Sequence, residues 1–245
     1  MAKRRADLLL VERGLFDSRA KARAAIEAGR VLAGGHTVGR PADLLDEDAD
    51  IQAEAANPWV GRAALKLAHA LEIWPIRVAG RKVLDVGAST GGFTEVCLSQ
   101  GAARVCAVDV GRGQLHPKIA ADPRIHSLEA TDARDLDLEK VGFAPELIVC
   151  DVSFIGLAKA LPRALGLAAP GADLLVLVKP QFEVGPAAVG KGGVVKDPVA
   201  RSRALEDALV FLNQSGWTVN ETGQSPITGS DGNLEFLVWA TKAVG

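Results

Sequence analysis

The sequence predicts an α/β fold: a Rossmann-like domain whose mostly parallel sheet has an antiparallel strand at one end, preceded by a small α+β domain. Three observations carry this. From residue 61 onward, short near-continuous apolar runs alternate with helical segments, the pattern of a parallel sheet covered on both faces. A glycine-rich turn follows the first of those runs and opens a helix. The last two apolar runs have no helix between them, which makes them an antiparallel pair.

The 245 residues are 48% hydrophobic and 24% charged, enough for one large or two modest globular domains. Disordered, collagen-like and disulfide-scaffold classes are excluded. Cys97, Cys106 and Cys150 lie in or beside apolar runs with neither metal-ligand spacing nor a disulfide framework. No metal is therefore expected, and the simplest setting is a reducing cytoplasm. No run nears the roughly 18–20 apolar residues of a membrane span, and LLLV at 8–11 is too short for a secretory core. The net charge of −2 is unevenly spread. Residues 1–40 hold nine Lys/Arg against four acids, whereas 41–56 hold six acids and no base. A local basic face of this kind suits phosphate binding despite the near-neutral total.

The first domain, residues 1–56, reads as a helix over 6–13 ended by Gly14 and a second helix, RAKARAAIEA. Asp17 or Ser18 caps the second helix, and Gly29 stops it. Two short strands follow around Gly34–Gly35, then the acidic stretch. Pro58 and the change in composition mark a linker over 57–61, with the second domain at 62–245. There the expected order is helix 61–73, strand 82–87, helix 92–100, strand 103–110, a short strand near 125–130 and strand 146–152. Helix 156–168, strand 172–180, a glycine-rich loop, helix 198–214 and strands 217–222 and 233–240 complete the chain.

The sharpest local motif is Asp85-Val-Gly87-Ala88-Ser89-Thr-Gly91-Gly92-Phe93. Glycines after a strand let a cofactor approach the backbone, and the helix start offers N–H groups to it. The next strand ends in Asp109, where a carboxylate can take both hydroxyls of a ribose. Ser89 breaks the dinucleotide fingerprint G-x-G-x-x-G, and a chain without tyrosine lacks the catalytic residue of short-chain dehydrogenases. Asp85-x-Gly87 instead resembles the first motif of S-adenosylmethionine (SAM) methyltransferases. Asp132 would then lie beside the adenine, or else cap the next helix.

Strand ends supply a second constellation. Asp151 and Lys179 end neighbouring strands, Glu235 begins the last one on the same sheet edge, and Lys66 lies on the preceding helix. Ribose 2′-hydroxyls are weak acids, and their methylation needs a base. A lysine crowded by a second lysine and drawn from water is easier to deprotonate, which suits Lys179 beside Lys66. Asp151 would orient the lysines and Glu235 the ribose. The plainer alternative is a set of strand caps and surface charges. Amino-nitrogen methylation fits poorly, because Asp151-Val-Ser-Phe154 lacks the two prolines of that motif. Cys150 points to the other face from Asp151, against a cytosine-C5 nucleophile. His69 and His116 lie near these positions with weaker cases, His69 reading as structural. Trp59 and Trp74 are expected to pack the domain junction, and Trp239 the core.

GRAALKLAHAL, VLDVGASTGGFTE, VCAVDV, CDVSFI, LVKPQFE and GNLEFL, in this order, resemble the TlyA (haemolysin A) family of rRNA 2′-O-methyltransferases. LLLVERGLFDSRAKARAAIEAGRV resembles that family's S4-type RNA-binding domain. The resemblance implies an S4-like domain before an FtsJ-like class I SAM methyltransferase domain. Its Lys-Asp-Lys-Glu tetrad falls on Lys66, Asp151, Lys179 and Glu235. It implies SAM as cofactor and cytidine in 16S or 23S rRNA, within ribosomal subunits, as substrate. Arg4, Arg5, Arg19, Arg23 and Arg30 would hold RNA phosphates, with Lys191 in the glycine-rich loop as a further contact. Ala63 and Ala64 stand where the family pattern has glycines. No obligate protein partner is implied. Two rivals remain: a non-enzymatic RNA-binding protein that retains SAM, and a membrane-lytic haemolysin, for which the chain lacks a spanning or long amphipathic segment.

Overall fold

The computed structural model describes residues 3–244, and the chain divides into two compact units, 1–58 and 59–245. In the first unit, β1 (Lys3–Arg5) leads directly into α1 (Ala6–Glu12), and α2 (Arg19–Glu27) follows. Ser18 caps α2, its hydroxyl accepting from the Lys21 N–H at 3.4 Å. β2 (Val31–Ala33) and β3 (His36–Thr37) form the hairpin, and β4 (Leu44–Asp46) and β5 (Ile51–Ala53) come from the acidic stretch. β1 pairs antiparallel with β4, while β5 joins β2 in a sheet of order β3-β2-β5. Ala6, Leu10, Phe16, Ala22, Ala25, Ile26, Val31 and Val38 form the unit's core.

The second unit begins with α3 (Ala64–Ile73) and β6 (Lys82–Val86), then α4 (Gly92–Ser99), β7 (Arg104–Val108), α5 (Pro117–Ala120) and β8 (Ile125–Leu128). α6 (Leu138–Val141), β9 (Leu147–Cys150), α7 (Leu157–Ala160), α8 (Pro162–Leu167) and β10 (Asp173–Val178) follow. The chain ends with α9 (Pro180–Glu183), α10 (Pro198–Gln214), β11 (Trp217–Gln224) and β12 (Phe236–Lys242). The sheet order is β11-β12-β10-β9-β6-β7-β8, parallel except for β12, which runs antiparallel to both neighbours. β9 and β10 are buried throughout, because helices cover both faces and leave no solvated side. One core layer includes Leu84, Val108, Ile148, Leu161, Val176 and Trp217; the opposite layer includes Leu67, Val83, Phe93, Val105, Leu175 and Leu237. Cys150 is sealed in the first layer, away from the strand-end surface.

Several expectations shift in detail. The helix expected over 156–168 is two, α7 and α8, because Pro162 has no N–H for a continuing ladder and begins a new helix instead. The helix expected from 61 starts at Ala64 after a turn closed by the Ala64 N–H to the Gly61 carbonyl. Residues 59–61 belong to the second compact unit, where the Val60 N–H donates to buried Glu95 at 2.6 Å. β12 begins one residue after Glu235, not at 233. Trp74 packs against Trp239 within the second unit, ring centroids 6.4 Å apart.

Candidate active site

The carboxyl ends of β6, β7, β9 and β10 meet at one edge of the sheet, the place where open α/β sheets bind ligands. Asp151 directly follows β9 and Lys179 directly follows β10. β12 returns antiparallel with Val178 opposite Phe236, so the register brings Glu235 opposite Lys179. Lys66 reaches the same point from the first turn of α3. All four charges therefore converge, although they are up to 169 residues apart in sequence.

They form an alternating chain. Lys179 Nζ lies 2.6 Å from Asp151 Oδ1, Asp151 Oδ2 lies 3.6 Å from Lys66 Nζ, and Lys66 Nζ donates to Glu235 Oε2 at 2.5 Å. Asp151 thus holds one lysine with each oxygen. Lys66, Lys179 and Glu235 are buried, Glu235 to 2% exposure. Two positive and two negative groups make the cluster formally neutral, which is how such burial is tolerated. Gly229 permits the arrangement, since a Cβ there would stand 2.7 Å from Glu235 Oε1.

Three clefts open around this chain. The first, of about 440 Å³, is lined by Gly87, Ser89, Asp109, Asp132, Asp151 and Phe154 among others. The second, of about 550 Å³, is lined by Lys66, Lys179 and Glu235 with Arg62, Phe154 and Phe182. A smaller one of about 190 Å³ touches Gly87, Ala88, Ser89, Gly92 and Phe93 as well as Asp151 and Lys179. Ser153 lines all three.

The residues of the first cleft fit SAM. At Gly87 (φ +84°) a Cβ would stand 2.7 Å from the Asp151 carbonyl oxygen, so only glycine closes the strand-to-helix turn this tightly. Asp109 accepts from the Ser89 N–H at 2.8 Å and the Gly111 N–H at 2.7 Å, which fixes its carboxylate at the cleft with lone pairs left for a ribose diol. Gly91 (φ +92°) caps α4 and packs against Leu115 and Ile119. Phe93 is committed to the core, 2% exposed. Asp132 lines the cleft and also accepts from the Arg134 N–H at 2.9 Å while pairing with its guanidinium, so it caps the turn at 133–135 as well.

Asp85 lies beneath the cleft, fully buried. Thr94 Oγ1 donates to its Oδ2 at 2.6 Å, and Oδ1 has no partner. Burial pushes this carboxyl up to about 7; the Thr94 hydrogen bond opposes the rise and the nearby Asp151 charge adds to it. Asp85 lines none of the three clefts and contributes by fastening Thr94 in the first turn of α4.

In the first unit every candidate arginine meets an acid. Arg4 pairs with Glu47 at 2.8 Å and Glu12 at 3.1 Å, Arg23 with Glu27 at 3.9 Å, and Arg30 with Glu54 at 3.3 Å. Arg5 and Arg19 clasp Asp7, whose side chain is wholly buried, at 3.0 and 2.8 Å. The Arg5 and Arg19 guanidiniums hold that carboxyl down at about 2, against the cost of burial. Both arginines remain about half exposed, so Asp7 orders them without hiding them. Lys191 is exposed on its loop.

Sequence reasoning missed several residues. Ser153 Oγ accepts from Lys179 Nζ at 2.8 Å. Phe154 is 91% exposed at φ +66°, tilted against Phe182 with centroids 5.2 Å apart. Gln181 Oε1 is buried without a partner beside the second cleft. Glu129 accepts the N–H groups of Gly113, Gln114 and Leu115 at 2.7–3.0 Å and pins the loop behind Asp109. Buried Asn233 ties the glycine-rich loop down through the Val195 N–H and the Gly193 carbonyl. Only the DVSF run hinted at any of these, because none has a spacing signature. Among the described residues no His, Cys, Asp and Glu cluster could hold a metal ion, and no helix is long and apolar enough to cross a membrane.

Comparison with known proteins extends this picture. The family model for FtsJ-like methyltransferases matches residues 59–242, and that for S4 domains residues 4–51. The chain is 46% identical over 242 residues to the 16S/23S rRNA (cytidine-2′-O)-methyltransferase TlyA of Mycobacterium tuberculosis, covering 98% of this chain and 90% of that protein. It is 36% identical to Hemolysin A of Brachyspira hyodysenteriae, covering 95% and 98% respectively. A solved structure from Streptococcus thermophilus that carries a hemolysin name matches with TM-score 0.78 at 35% identity, over 99% of this chain and 90% of that one. A SAM-dependent methyltransferase of Mesorhizobium loti shares the fold alone, at TM-score 0.55 and 16% identity over 73% of this chain and 98% of that one. Both domain matches and 46% identity across nearly the whole chain show that it belongs to the TlyA family of FtsJ-like, SAM-dependent methyltransferases.

Proposed function

We propose that this protein methylates the ribose 2′-hydroxyl of cytidine in 16S or 23S rRNA, acting on ribosomal subunits in the cytoplasm. The observation that carries the reading is the buried chain Lys179–Asp151–Lys66–Glu235, placed where the SAM cleft meets a second cleft large enough for a nucleoside. Such a site has a base and no nucleophile, as proton removal from a hydroxyl requires.

SAM held in the first cleft, against Gly87 and Asp109, would supply an electrophilic methyl group whose bond to sulfur breaks, releasing S-adenosylhomocysteine, as the ribose oxygen takes the methyl carbon. Lys179 takes the proton of the 2′-hydroxyl at Nζ. Asp151 then faces the new ammonium at 2.6 Å and stabilises it. Lys66 and Glu235 hold Asp151 and the far wall, and Glu235 turns its free acceptor capacity toward the ribose. Phe154 offers an exposed aromatic face on which an unstacked base can rest. The first unit holds RNA through Arg4, Arg5, Arg19, Arg23 and Arg30, and the second unit, from Trp59 onward, carries the chemistry with Lys191 as a further RNA contact. The acids paired with those arginines keep them extended, and RNA phosphates compete for their remaining N–H groups.

Tritium-labelled SAM, unmodified ribosomal subunits and free rRNA test this. Label recovered in a nuclease-resistant dinucleotide, and lost with Lys179→Ala, is the expected result. Binding of SAM without transfer to any of these RNAs would refute it in favour of a non-enzymatic RNA-binding role.

A further inference from the structure

We infer that Ser153 is the positioning residue that aims the Lys179 amine at the substrate hydroxyl, an inference that rests on the reading of Lys179 as the base. Lys179 Nζ has two polar neighbours. Asp151 Oδ1 is close, at 2.6 Å, but the approach is off the hydrogen-bonding direction. Ser153 Oγ accepts an aligned hydrogen bond at 2.8 Å. An ion pair depends on distance and tolerates rotation of the nitrogen; a hydrogen bond does not. Asp151 therefore supplies the charge and Ser153 the direction.

Direction matters because of how a neutral amine is built. It has two N–H bonds and one lone pair. With one N–H held on Ser153, and the Asp151 charge disfavouring the lone pair on its own side, the lone pair takes the remaining position, into the space where a substrate proton must arrive. The Phe182 ring, its centroid 6.0 Å from Nζ, closes a further side. A lysine side chain otherwise has several freely rotating bonds and no preferred heading. Ser153 lies on the irregular segment after β9, and the chain turns sharply at Phe154 in the left-handed region directly after it. It lines all three clefts, so its hydroxyl sits at their junction.

The test compares the full-length protein with Ser153→Ala, Ser153→Thr and Lys179→Ala, using tritiated SAM and unmodified ribosomal subunits. Misaiming a reacting group by about 1 Å can cost about 100-fold in rate. Ser153→Ala should therefore lower kcat about 10- to 100-fold, with KM for subunits and Kd for SAM (by calorimetry) within about twofold. Ser153→Thr, which keeps the hydroxyl, should recover most of the loss. Unchanged kcat, a defect confined to KM or SAM affinity, or equal impairment of both Ser153 variants would overturn the inference. Lys179→Ala separates the two ideas. If it turns over normally, the base reading itself fails; if it is inactive while Ser153→Ala is unimpaired, only the positioning role fails. Ser153 is exposed, so its replacement leaves the core intact, and an unchanged urea midpoint verifies that.

Discussion

Replacing Asp85 with asparagine should remove a specific pH dependence of folding. Asp85 is fully buried, accepts hydrogen bonds from the Thr94 hydroxyl and backbone N–H, and carries a carboxyl raised from 3.8 to about 7. Its folded state holds the proton that the unfolded state releases near 3.8. Its stabilising contribution is thus fully present below about pH 4 and is lost as pH rises through 7. The loss runs at about 1.4 kcal/mol per pH unit, or roughly 2.5 kcal/mol between pH 5 and pH 8. Asparagine cannot titrate, so Asp85→Asn lacks this contribution, whatever constant offset its buried amide introduces. All four tryptophans (Trp59, Trp74, Trp217 and Trp239) lie in the second unit, so their fluorescence reports its unfolding alone. Urea titrations of both proteins at pH 5 and pH 8 give the difference of differences, in which other titrating groups cancel. Identical pH dependence in the two proteins would show that Asp85 is ionised throughout, and the burial argument would be wrong.

Three further outcomes follow from the geometry. Lys66→Met should destabilise the second unit by about 3–5 kcal/mol in urea, because it strands Glu235 as a buried unpaired carboxylate; adding Glu235→Gln should recover part of that loss. Phe154→Ala should leave the urea midpoint unchanged, since the ring is 91% exposed, yet reduce kcat/KM on ribosomal subunits about 5- to 150-fold if the ring stacks on a base. Asp7, held at about 2 by Arg5 and Arg19, stabilises the first unit above about pH 4, and that contribution disappears as pH falls toward 2. Far-ultraviolet circular dichroism of the isolated 1–58 segment should therefore show an acid transition that Asp7→Asn shifts or abolishes.

Much of the site was legible because it is anchored to strand ends. Apolar runs such as ELIVC and LLVLV announce buried parallel strands, and polar residues directly after them must reach the sheet's carboxyl edge. That logic picks out Asp109, Asp151 and Lys179 without coordinates. Ser153, Gln181 and Asn233 were not legible in this way. Each sits in irregular backbone, where no periodicity links sequence position to direction. The strands β1, β4 and β5 escaped notice for another reason: three residues are too few to show an alternation, and β1 pairs with a partner about forty residues away. Composition suggested that the acidic stretch was separate from the basic face. Folding instead sets Glu47 and Glu54 against Arg4 and Arg30.

The sequence by itself determined the alternation of strands and helices in the second unit, the glycine turn and the strand-end places of Asp109, Asp151 and Lys179. All of these depend on local pattern or on which residues can end a strand. Tertiary structure alone decided how the charges share one another. Asp151 gives one oxygen to each lysine, Glu235 takes Lys66, and Ser153 takes the direction of Lys179. It also decided that Asp85 is sealed beneath the cleft and not lining it. These are properties of distance and burial between residues remote in the chain, and they come into being only when the antiparallel return of β12 closes the edge that the parallel strands leave open.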